Sequence, residues 1–195
     1  MGIVRARYLR DAQRRRVYDW ENQNVVGKAN DKVLDNTSCV ELIIKACALY
    51  QIKAPSVSFP ARVRQNARGG RYKISLPGWA RKSSVVLHEA SHTICASFYA
   101  YGTVASHGPE FVKVLADLLV HFHVTPRSEL KKSLRTHKIK VAKDEGCPQL
   151  VSSRERLRQK FDVKVAVWAE QLDIPKYQVR MIIKQHLDKE EGVDD

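Results

Sequence analysis

The sequence predicts an α+β fold followed by a small helical unit. Apolar residues recur at helical spacing on both sides of two stretches, 55–63 and 70–76, which are rich in β-branched and aromatic residues. The segment 144–153 is polar and holds a glycine and a proline, which indicates a linker. We therefore expect a first domain at residues 1–143, a linker at 144–153 and a C-terminal helical domain at 154–195.

The composition is that of a soluble globular protein, because 44% of the 195 residues are hydrophobic and 28% are charged. No apolar run approaches the ~20 residues that span a bilayer, and the arginine-rich start lacks the apolar core of a signal peptide. The four cysteines form no CxxC pair, so we expect reduced thiols rather than a zinc ribbon or a redox motif. These features predict a cytoplasmic protein without a membrane partner.

The net charge of +13 is distributed unevenly along the chain. Residues 1–80 carry +9 and residues 127–195 carry +4, whereas residues 81–126 are neutral. This asymmetry favours an anionic partner, DNA or another nucleic acid first, because lysine and arginine neutralise phosphates and release counterions. A basic surface that only keeps the protein in solution explains the same charge equally well.

Residues 3–24 are predicted to form the first helix, since no proline or glycine interrupts them. Tyr8, Ala12 and Trp20 are expected to face inward, and the three arginines at 14–16 to face solvent.

Ser38 and Glu41 have the spacing of a capping box and predict the start of a second helix, which is expected to end near Tyr50. The expected buried face of this second helix is Val40, Ile43, Ile44 and Cys47.

The two extended stretches are predicted to form a hairpin around a turn at residues 67–70. An edge strand of such a sheet can pair with an extended substrate backbone. The hairpin precedes a helix that Ser83 or Ser84 is expected to cap.

Residues 85–111 hold the motif on which the functional interpretation depends. His88, Glu89 and His92 form an HExxH element within a helical apolar pattern, and a helix places positions i and i+4 one above the other. His88 and His92 can therefore present two imidazoles to one metal ion. Glu89 can reach a water molecule at the metal without ligating the metal, which is the position that a general base needs.

A catalytic zinc takes three protein ligands and leaves a fourth position for water, and His107 is the expected third ligand. The helix that carries His88 and His92 is expected to run to about Tyr99, with Gly102 in the left-handed conformation after it. Pro109 suits the first turn of the helix that follows. A short return at residues 103–106 can thus bring His107 back to the first two histidines.

A structural zinc site is the alternative, and Cys95 is available as its fourth ligand one turn beyond His92. Glu89 has no role in a structural site, so the motif favours a catalytic one. Glu110 is a further candidate, because a carboxylate can hold a metal-bound imidazole through its free N–H. An acid at a helix N-terminus is also favoured by the helix dipole alone.

The helix that begins at Pro109 is predicted to run to about His123, where Thr125 and Pro126 stop it. Its expected buried face is Phe111, Leu115, Leu118 and Phe122. A short basic helix at residues 128–136 and a strand at 137–142 are expected to follow.

The chain from Val163 onward predicts two helices around a turn at Asp173, an arrangement that resembles a helix-turn-helix. Aspartate can replace the usual glycine there, since it also visits the left-handed conformation. The expected inward positions are Ala169, Val179 and Ile182. The residues expected to face a DNA groove are Lys176, Tyr177, Gln178 and Arg180, with Lys184 near phosphate. A two-helix appendage that packs on the first domain or mediates self-association fits the same residues.

The HExxH element, followed fifteen residues after its second histidine by HGPEF, resembles the SprT-like (spartan-type) zinc metallopeptidases. Within that family it is most similar to the metallohydrolases of actinobacteria and their phages, over residues 5–142. The resemblance implies a zincin-like domain of helices and a small antiparallel sheet, with one Zn²⁺ ion bound by His88, His92 and His107 and a water activated by Glu89. It also implies a protein or peptide substrate, including protein bound to DNA, and the host cytoplasm if a phage encodes the chain.

These observations predict a zinc metallopeptidase, and two alternatives remain open. One is a DNA-binding regulator whose metal site is structural or sensory, and the other is a metal-dependent hydrolase of an amide or a nucleotide. No residue is identified as the group that stabilises the oxyanion, although Tyr72, Tyr99 and Tyr101 are candidates. The sequence indicates no oligomeric state.

Overall fold

In a computed structural model of the chain, the described residues are 9–61, 66–145, 147–150, 161–162 and 165–190, without the side chains of 185–190. The chain divides into two compact units, Met1–Leu150 and Val151–Asp195, and the division falls within the segment 144–153 that the sequence marks as a linker. Several predicted features lie outside the described residues: residues 3–8 of the first helix with Tyr8, the end of the first strand, Gly146 of the linker, and residues 151–160, 163 and 164. Within the described residues the first helix begins at Arg14, later than predicted, because residues 9–13 are not helical.

The first unit is α+β, as the sequence predicts. Five α-helices are described in it: α1 (Arg14–Asn24), α2 (Asn36–Leu49), α3 (Ser83–Phe98), α4 (Pro109–His121) and α5 (Arg127–Thr136). Three short strands lie between α2 and α3: β1 (Ser56–Ser58), β2 (Arg68–Gly69) and β3 (Lys73–Ser75). In the described part of the chain, no helix has both the length and the apolar character needed to span a bilayer.

The sheet is mixed rather than antiparallel, which corrects the predicted hairpin. Its strand order is β1-β3-β2, with β1 parallel and β2 antiparallel to β3. The tight turn lies at residues 70–73, three residues later than predicted, because the Gly70 amide donates to the Lys73 carbonyl at 3.0 Å. Arg68 and Gly69 therefore pair with β3, and β1 reaches the other side of β3 through the longer connection that a parallel pair requires.

Helix α3 is the central element of the first unit, and most of its residues are buried. One apolar cluster packs along α3 from Leu87 to Cys95 and also includes Trp20, Phe111 and Leu115. A second cluster fills the space between α2, β3 and the start of α3, with Ile43, Cys47, Ile74 and Val86 among its members. A helix covered on so many sides holds its side chains in fixed positions, which suits a site that needs exact geometry.

The N-termini of α2 and α3 are capped by aspartates that the sequence analysis did not select. Asp35 caps α2 by accepting a hydrogen bond of 2.7 Å from the Ser38 amide, so the Ser38–Glu41 capping box is wrong. At α3, Asp31 accepts from the Ser84 amide at 2.8 Å and from the Ser83 hydroxyl at 3.0 Å. Neither serine caps α3 itself, because the Asp31 carboxylate satisfies the Ser84 amide and the Lys32 carbonyl satisfies the Ser83 amide.

Side-chain hydrogen bonds fix α1 against the segment that follows α5. The Gln13 amide donates to the Lys140 carbonyl at 3.1 Å and accepts from the Lys140 amide at 3.0 Å. The Trp20 indole donates to the Ser133 hydroxyl at 3.0 Å. The strand predicted at 137–142 is wrong, because the Gln13 side chain takes up the backbone groups that a neighbouring strand would pair with.

Other predicted features agree with the structure to within a few residues. Helix α2 ends at Leu49 and α3 at Phe98, and Pro109 is the first residue of α4. Helix α4 ends at His121, two residues early, since His123 has a left-handed φ of 57°. The inward faces were partly wrong: Ala12 and Ile44 are exposed, and Phe122 is half-buried.

The described helical residues of the second unit are 161–162, 165–171 and α6 (Lys176–Glu190). Asp173 lies in the turn between the last two with a left-handed φ of 50°, as predicted. The small apolar core of the second unit consists of Val165, Ala169 and Val179. Ile182 is 52% exposed, and Ile183 packs on this core in its place.

Candidate metal centre

Helix α3 and the loop before α4 bring three histidines together. His88 and His92 lie one helical turn apart, with their Nε2 atoms 3.1 Å from each other. His107 approaches from the loop that ends at Pro109, and one ligand atom of each histidine lies within 4.8 Å of those of the other two. The three side chains therefore lie close enough together to bind one metal ion.

The donor atoms fit a small tetrahedral cation. At a Zn–N distance of about 2.0–2.1 Å, two nitrogens of a tetrahedral site are separated by about 3.3 Å, close to the separation of the His88 and His92 nitrogens. The Nε2 atom of His107 is buried and has no hydrogen-bond partner among the described residues. A buried ring nitrogen without a partner is unfavourable, and a bound cation would satisfy its lone pair.

The Glu21 carboxylate of α1 holds the ring of His88. Its two oxygens lie 2.8 and 3.0 Å from His88 Nδ1, and both side chains are buried. A carboxylate only accepts hydrogen bonds, so Nδ1 carries the proton and Nε2 is left with the lone pair that a metal takes. Burial lowers the pKa of His88, but the charge and the hydrogen bond of Glu21 outweigh it, so the pKa is raised.

Asp11, just before α1, holds His107 at two points. One carboxylate oxygen accepts from the His107 backbone amide at 3.1 Å, and the other lies 2.8 Å from Nδ1 of the ring. The backbone and the ring are thus both fixed, and Nε2 again faces the cluster. Burial lowers the pKa of His107 and lowers that of His92 well below its ordinary value, which favours the neutral imidazoles that ligate metals.

Glu110 does not take the role that the sequence analysis gave it. Among the described residues, the carboxylates on the histidine rings are Asp11 and Glu21, and Glu110 hydrogen-bonds none of the three rings. Cys95, considered as a fourth ligand, is not part of the histidine cluster. Burial raises the pKa of the Cys95 thiol to about 12, which disfavours a thiolate.

Glu89 follows His88 on α3, and its side chain is buried. Burial is the largest influence on its carboxyl and raises the pKa to about 7, while His88 and the Gly69 backbone amide stabilise the ionised form. Gly69 lies so close that a Cβ atom on it would be 2.8 Å from the carbonyl carbon of Glu89 and 2.9 Å from its Cα. Strand β2 can therefore approach this turn of α3 only because residue 69 is glycine.

Two aromatic side chains enclose the histidine cluster. Phe111 of α4 contacts all three rings, with centroids 4.4 Å from His92, 4.9 Å from His88 and 5.0 Å from His107. Tyr18 of α1 lies 5.6 Å from His88 and 4.8 Å from His107 between ring centroids, and it is 38% exposed. Phe111 thus closes the cluster towards the core, whereas Tyr18 lies at its boundary with solvent.

A cleft of about 560 Å³ opens beside His92. The edge strand β2 and the turn that follows it form one wall, and the end of α3 with the loop after it forms the other. Tyrosines and small apolar residues line most of the cleft, including Tyr72, Tyr99, Tyr101, Ala96 and Val104. A cleft of this size accommodates several side chains of an extended chain.

The residues predicted to bind DNA all lie on α6, with Lys184 just past its midpoint, and their surroundings differ. Lys176, Tyr177 and Lys184 are exposed, whereas Gln178 is half-buried and donates to the Tyr177 hydroxyl at 3.2 Å. Arg180 donates to the Asp162 carboxylate at 2.8 Å within the second unit. Its guanidinium is therefore already paired.

Sequence reasoning missed four residues of this site: Asp11, Tyr18, Glu21 and Gly69. Asp11 lies just before α1, and Tyr18 and Glu21 lie on it, seven and ten residues later. This spacing puts all three on one side of a helix, so the helical period was a usable signal for grouping them. The contact of that face with a metal motif 67 residues later has no local signature.

No known protein family, no curated protein and no solved structure matches the chain.

Proposed function

We propose that the first unit is a zinc-dependent metallopeptidase of the SprT-like, zincin-like type, with His88, His92 and His107 as the ligands of one zinc ion. The donor set is of the kind that catalytic zinc sites use, three imidazoles with one coordination position left for the reaction. When bound, zinc supplies a Lewis acid for the scissile carbonyl and lowers the pKa of a water to about 7.

Glu89 is the general base of this proposal. It takes a proton from the attacking water and passes it to the nitrogen of the leaving amine. A carboxyl whose pKa is raised to about 7 by burial accepts and returns a proton near neutral pH with little driving force lost in either direction. The Gly69 amide favours the ionised form of this carboxyl, and residue 69 lies against the backbone of Glu89.

The cleft beside His92 supports a protein or peptide substrate. Strand β2 is one of the two edge strands of the sheet, and it lies against Glu89. An extended peptide bound along the cleft would contact the edge strand, the histidine cluster and the wall that the tyrosines line. The four free thiols favour a reducing compartment such as the cytoplasm for this activity.

One observation carries the proposal: two of the three converging imidazoles have their Nδ1 protons held by buried or half-buried carboxylates, so that both Nε2 lone pairs face the same point. A histidine cluster without a metal has no need for this arrangement. It is the pattern by which carboxylates orient and strengthen imidazole ligands.

The metal content of the purified protein tests the ligand set. Wild-type protein is expected to hold one zinc per chain by elemental analysis, and replacement of His88, His92 or His107 by alanine is expected to abolish it. His121→Ala on α4 is the matched control, because His121 is exposed and lies outside the cluster. Full zinc content in any of the three ligand variants would overturn the assignment.

Glu89→Gln tests the reaction. We expect this variant to keep its zinc and to lose cleavage of unfolded casein by at least about 10²-fold, the scale of a lost general base. Glu110→Gln is the matched control and should stay active. If both variants and the wild type are equally inert towards casein but Glu89→Gln alone loses hydrolysis of an amide or a nucleotide, the substrate class is wrong. If Glu89→Gln changes no hydrolysis at all, the metal site is structural or sensory.

We propose DNA as the partner of the second unit, with α6 as the helix that enters the groove. The turn at Asp173, with its left-handed φ of 50°, and the exposed Lys176 and Lys184 support a helix-turn-helix. Lys176→Ala with Lys184→Ala should weaken binding to duplex DNA and reduce its salt dependence. Arg180→Ala is less informative, since Arg180 pairs with Asp162. Affinity for DNA that does not change with salt would contradict this role.

A further inference from the structure

We propose that a groove between α4, α5 and the segment that follows α5 binds an acidic protein segment with apolar side chains on one face. The groove belongs to the first unit alone and takes no part in the hydrolysis proposed above. It combines an apolar floor with a border of cations, and it lies on the far side of α4 from the histidine cluster.

The groove has a volume of about 390 Å³ and is separated from the metal centre by α4. Phe111 packs on all three histidine rings, and each residue of a helix is turned by about 100° from the one before it. The α4 residues that line the groove therefore lie on the face opposite Phe111: Lys113, Ala116, Asp117 and Val120. A segment bound in the groove would contact α4 without reaching the histidines.

The floor of the groove is apolar. It consists of aliphatic side chains from α4, α5 and the following segment: Ala116, Val120, Leu130, Leu134, Ile139 and Val141. Most of them belong to the main core, whereas Val141 is 41% exposed. A partner that covers Val141 and the edges of this floor is stabilised in proportion to the apolar area that it removes from water.

A row of cations borders this floor along α5. Arg127, Lys131 and Arg135 follow one another at intervals of four residues, so they lie one above the other on the same face of the helix. The row is about 12 Å long, at about 1.5 Å per residue. All three residues are exposed, and none forms a salt bridge with another residue in the described part of the chain. These charges are therefore available to a partner.

Both carboxylates of the groove are engaged by one lysine. Lys113 forms salt bridges with Asp117 on its own helix and, at 3.1 Å, with Asp144. The lining residues include five cations and two carboxylates, so the groove carries a net charge of +3. Charge complementarity therefore favours an anionic partner, and carboxylates placed one helical turn apart match the spacing of the row on α5.

A protein segment fits these features better than a nucleic acid does. Single strands bind where their bases stack on aromatic rings, and none of the described residues that line the groove is aromatic. An aliphatic floor offers nothing to phosphates, which would also lie close to Asp117 and Asp144. An amphipathic acidic segment instead places its apolar side chains on the floor and its carboxylates against the α5 row.

Fluorescence anisotropy of a labelled peptide tests the groove. The probe is a fluorescein-labelled helical peptide of about 18 residues, with leucines on one face and glutamates along both borders of that face. We expect saturable binding to the wild type that weakens as salt is added, because the attraction is partly between exposed charges. The same peptide with glutamine at every glutamate, or with serine at every leucine, should bind at least about 10-fold more weakly.

Two matched variants of the protein locate the binding. The test variant removes the row on α5: Arg127→Gln, Lys131→Gln and Arg135→Gln. It should bind the peptide at least about 10-fold more weakly, because each exposed ion pair contributes up to about fivefold in affinity. The control removes three charges at exposed positions outside the groove and should keep its affinity: Lys132→Gln, Lys138→Gln and Lys140→Gln.

A third variant tests the floor without touching the row. Val141→Asp places a carboxylate at an exposed position of the groove and should weaken peptide binding by about fivefold. Zinc content and thermal midpoint should be the same in all three variants and the wild type, since the groove and the histidine cluster lie on opposite faces of α4.

Several results would overturn the proposal. Equal weakening in the test and control variants would mean that net charge alone attracts the peptide. Wild-type protein that binds the glutamine peptide as tightly as the glutamate peptide, or shows no saturable binding of the glutamate peptide, would contradict the groove as an acidic-segment site. If a single-stranded or duplex oligonucleotide binds more tightly than the peptide and the test variant loses that binding, the surface is a nucleic-acid site instead.

Discussion

Both oxygens of the Glu21 carboxylate lie within hydrogen-bond distance of Nδ1 of His88, at 2.8 and 3.0 Å, although the two residues are 67 positions apart in the chain. This contact joins α1 to α3 through a buried, charge-assisted hydrogen bond. It sets the tautomer and the ring plane of one candidate ligand before any metal arrives. The first helix is thus part of the metal site and not only a covering layer.

Glu21→Gln should weaken zinc binding by about 10–100-fold, because a neutral amide orients the His88 ring less firmly and makes its Nε2 less basic. Competition with a chromophoric chelator measures this affinity. Glu41→Gln is the control, since Glu41 is exposed and pairs with the exposed Lys45. Unchanged zinc affinity in Glu21→Gln would show that the contact serves packing alone.

Zinc should stabilise the folded protein. A ligand that binds only the native state adds about 2.7 kcal/mol to the free energy of unfolding at a free concentration 100-fold above Kd. We expect the thermal midpoint to rise when zinc is added to chelator-treated protein, and His107→Ala to remove that rise. A His107→Ala protein that zinc still stabilises fully would place the metal elsewhere.

Gly69→Ala should destabilise the protein by about 1–3 kcal/mol and reduce hydrolysis, because the new Cβ would push β2 away from the backbone of Glu89. Urea denaturation followed by tryptophan fluorescence measures the stability. Gly78→Ala is the matched control, since a Cβ there meets nothing within 4 Å. Equal stability of the two variants would mean that the edge strand moves freely over α3.

Tyr50→Phe should raise the free energy of unfolding by about 1 kcal/mol. The Tyr50 hydroxyl is buried and has no hydrogen-bond partner in the described part of the chain, and an unsatisfied buried polar group is costly. Tyr72→Phe, at an exposed position, should leave stability within about 0.5 kcal/mol. A clear loss of stability in Tyr50→Phe would reveal a partner for this hydroxyl, such as an ordered water.

Stability should fall as the pH rises from 9 to 11. Burial raises the pKa of the Cys47 thiol from its ordinary value of 9.0 to about 11, so in this window the unfolded chain has lost the proton that the folded protein still holds. Because the unfolded state binds fewer protons, higher pH favours it, by up to about 1.4 kcal/mol per pH unit for one group.

Cys47→Ala should reduce this alkaline slope, measured by urea denaturation at several pH values. Ile43→Val, in the same apolar cluster, should lower stability at every pH without changing the slope. Other buried thiols and tyrosines contribute to the slope, so a reduction rather than its disappearance is expected. An unaltered slope in Cys47→Ala would show that this thiol does not titrate differently on folding.

The parts of the fold that the sequence predicted are those encoded by local spacing. The i and i+4 histidines, the proline at the start of α4 and the aspartate in the left-handed turn of the second unit all follow from neighbours within a few residues. The errors have a common cause. The strand pairing, the cap on α3 and the failure of residues 137–142 to form a strand depend on contacts between distant segments, which local preference does not contain.

The sequence by itself determined the chemistry available to this protein: three imidazoles and a carboxylate at the spacing of a metal motif, because a helix turns that spacing into proximity. Only the tertiary structure decided which groups surround them. Asp11, Tyr18 and Glu21 belong to the site because Gln13 and Trp20 dock α1 onto the segment after α5 and onto α5 itself. That docking is a long-range packing event, and no short stretch of the chain specifies it.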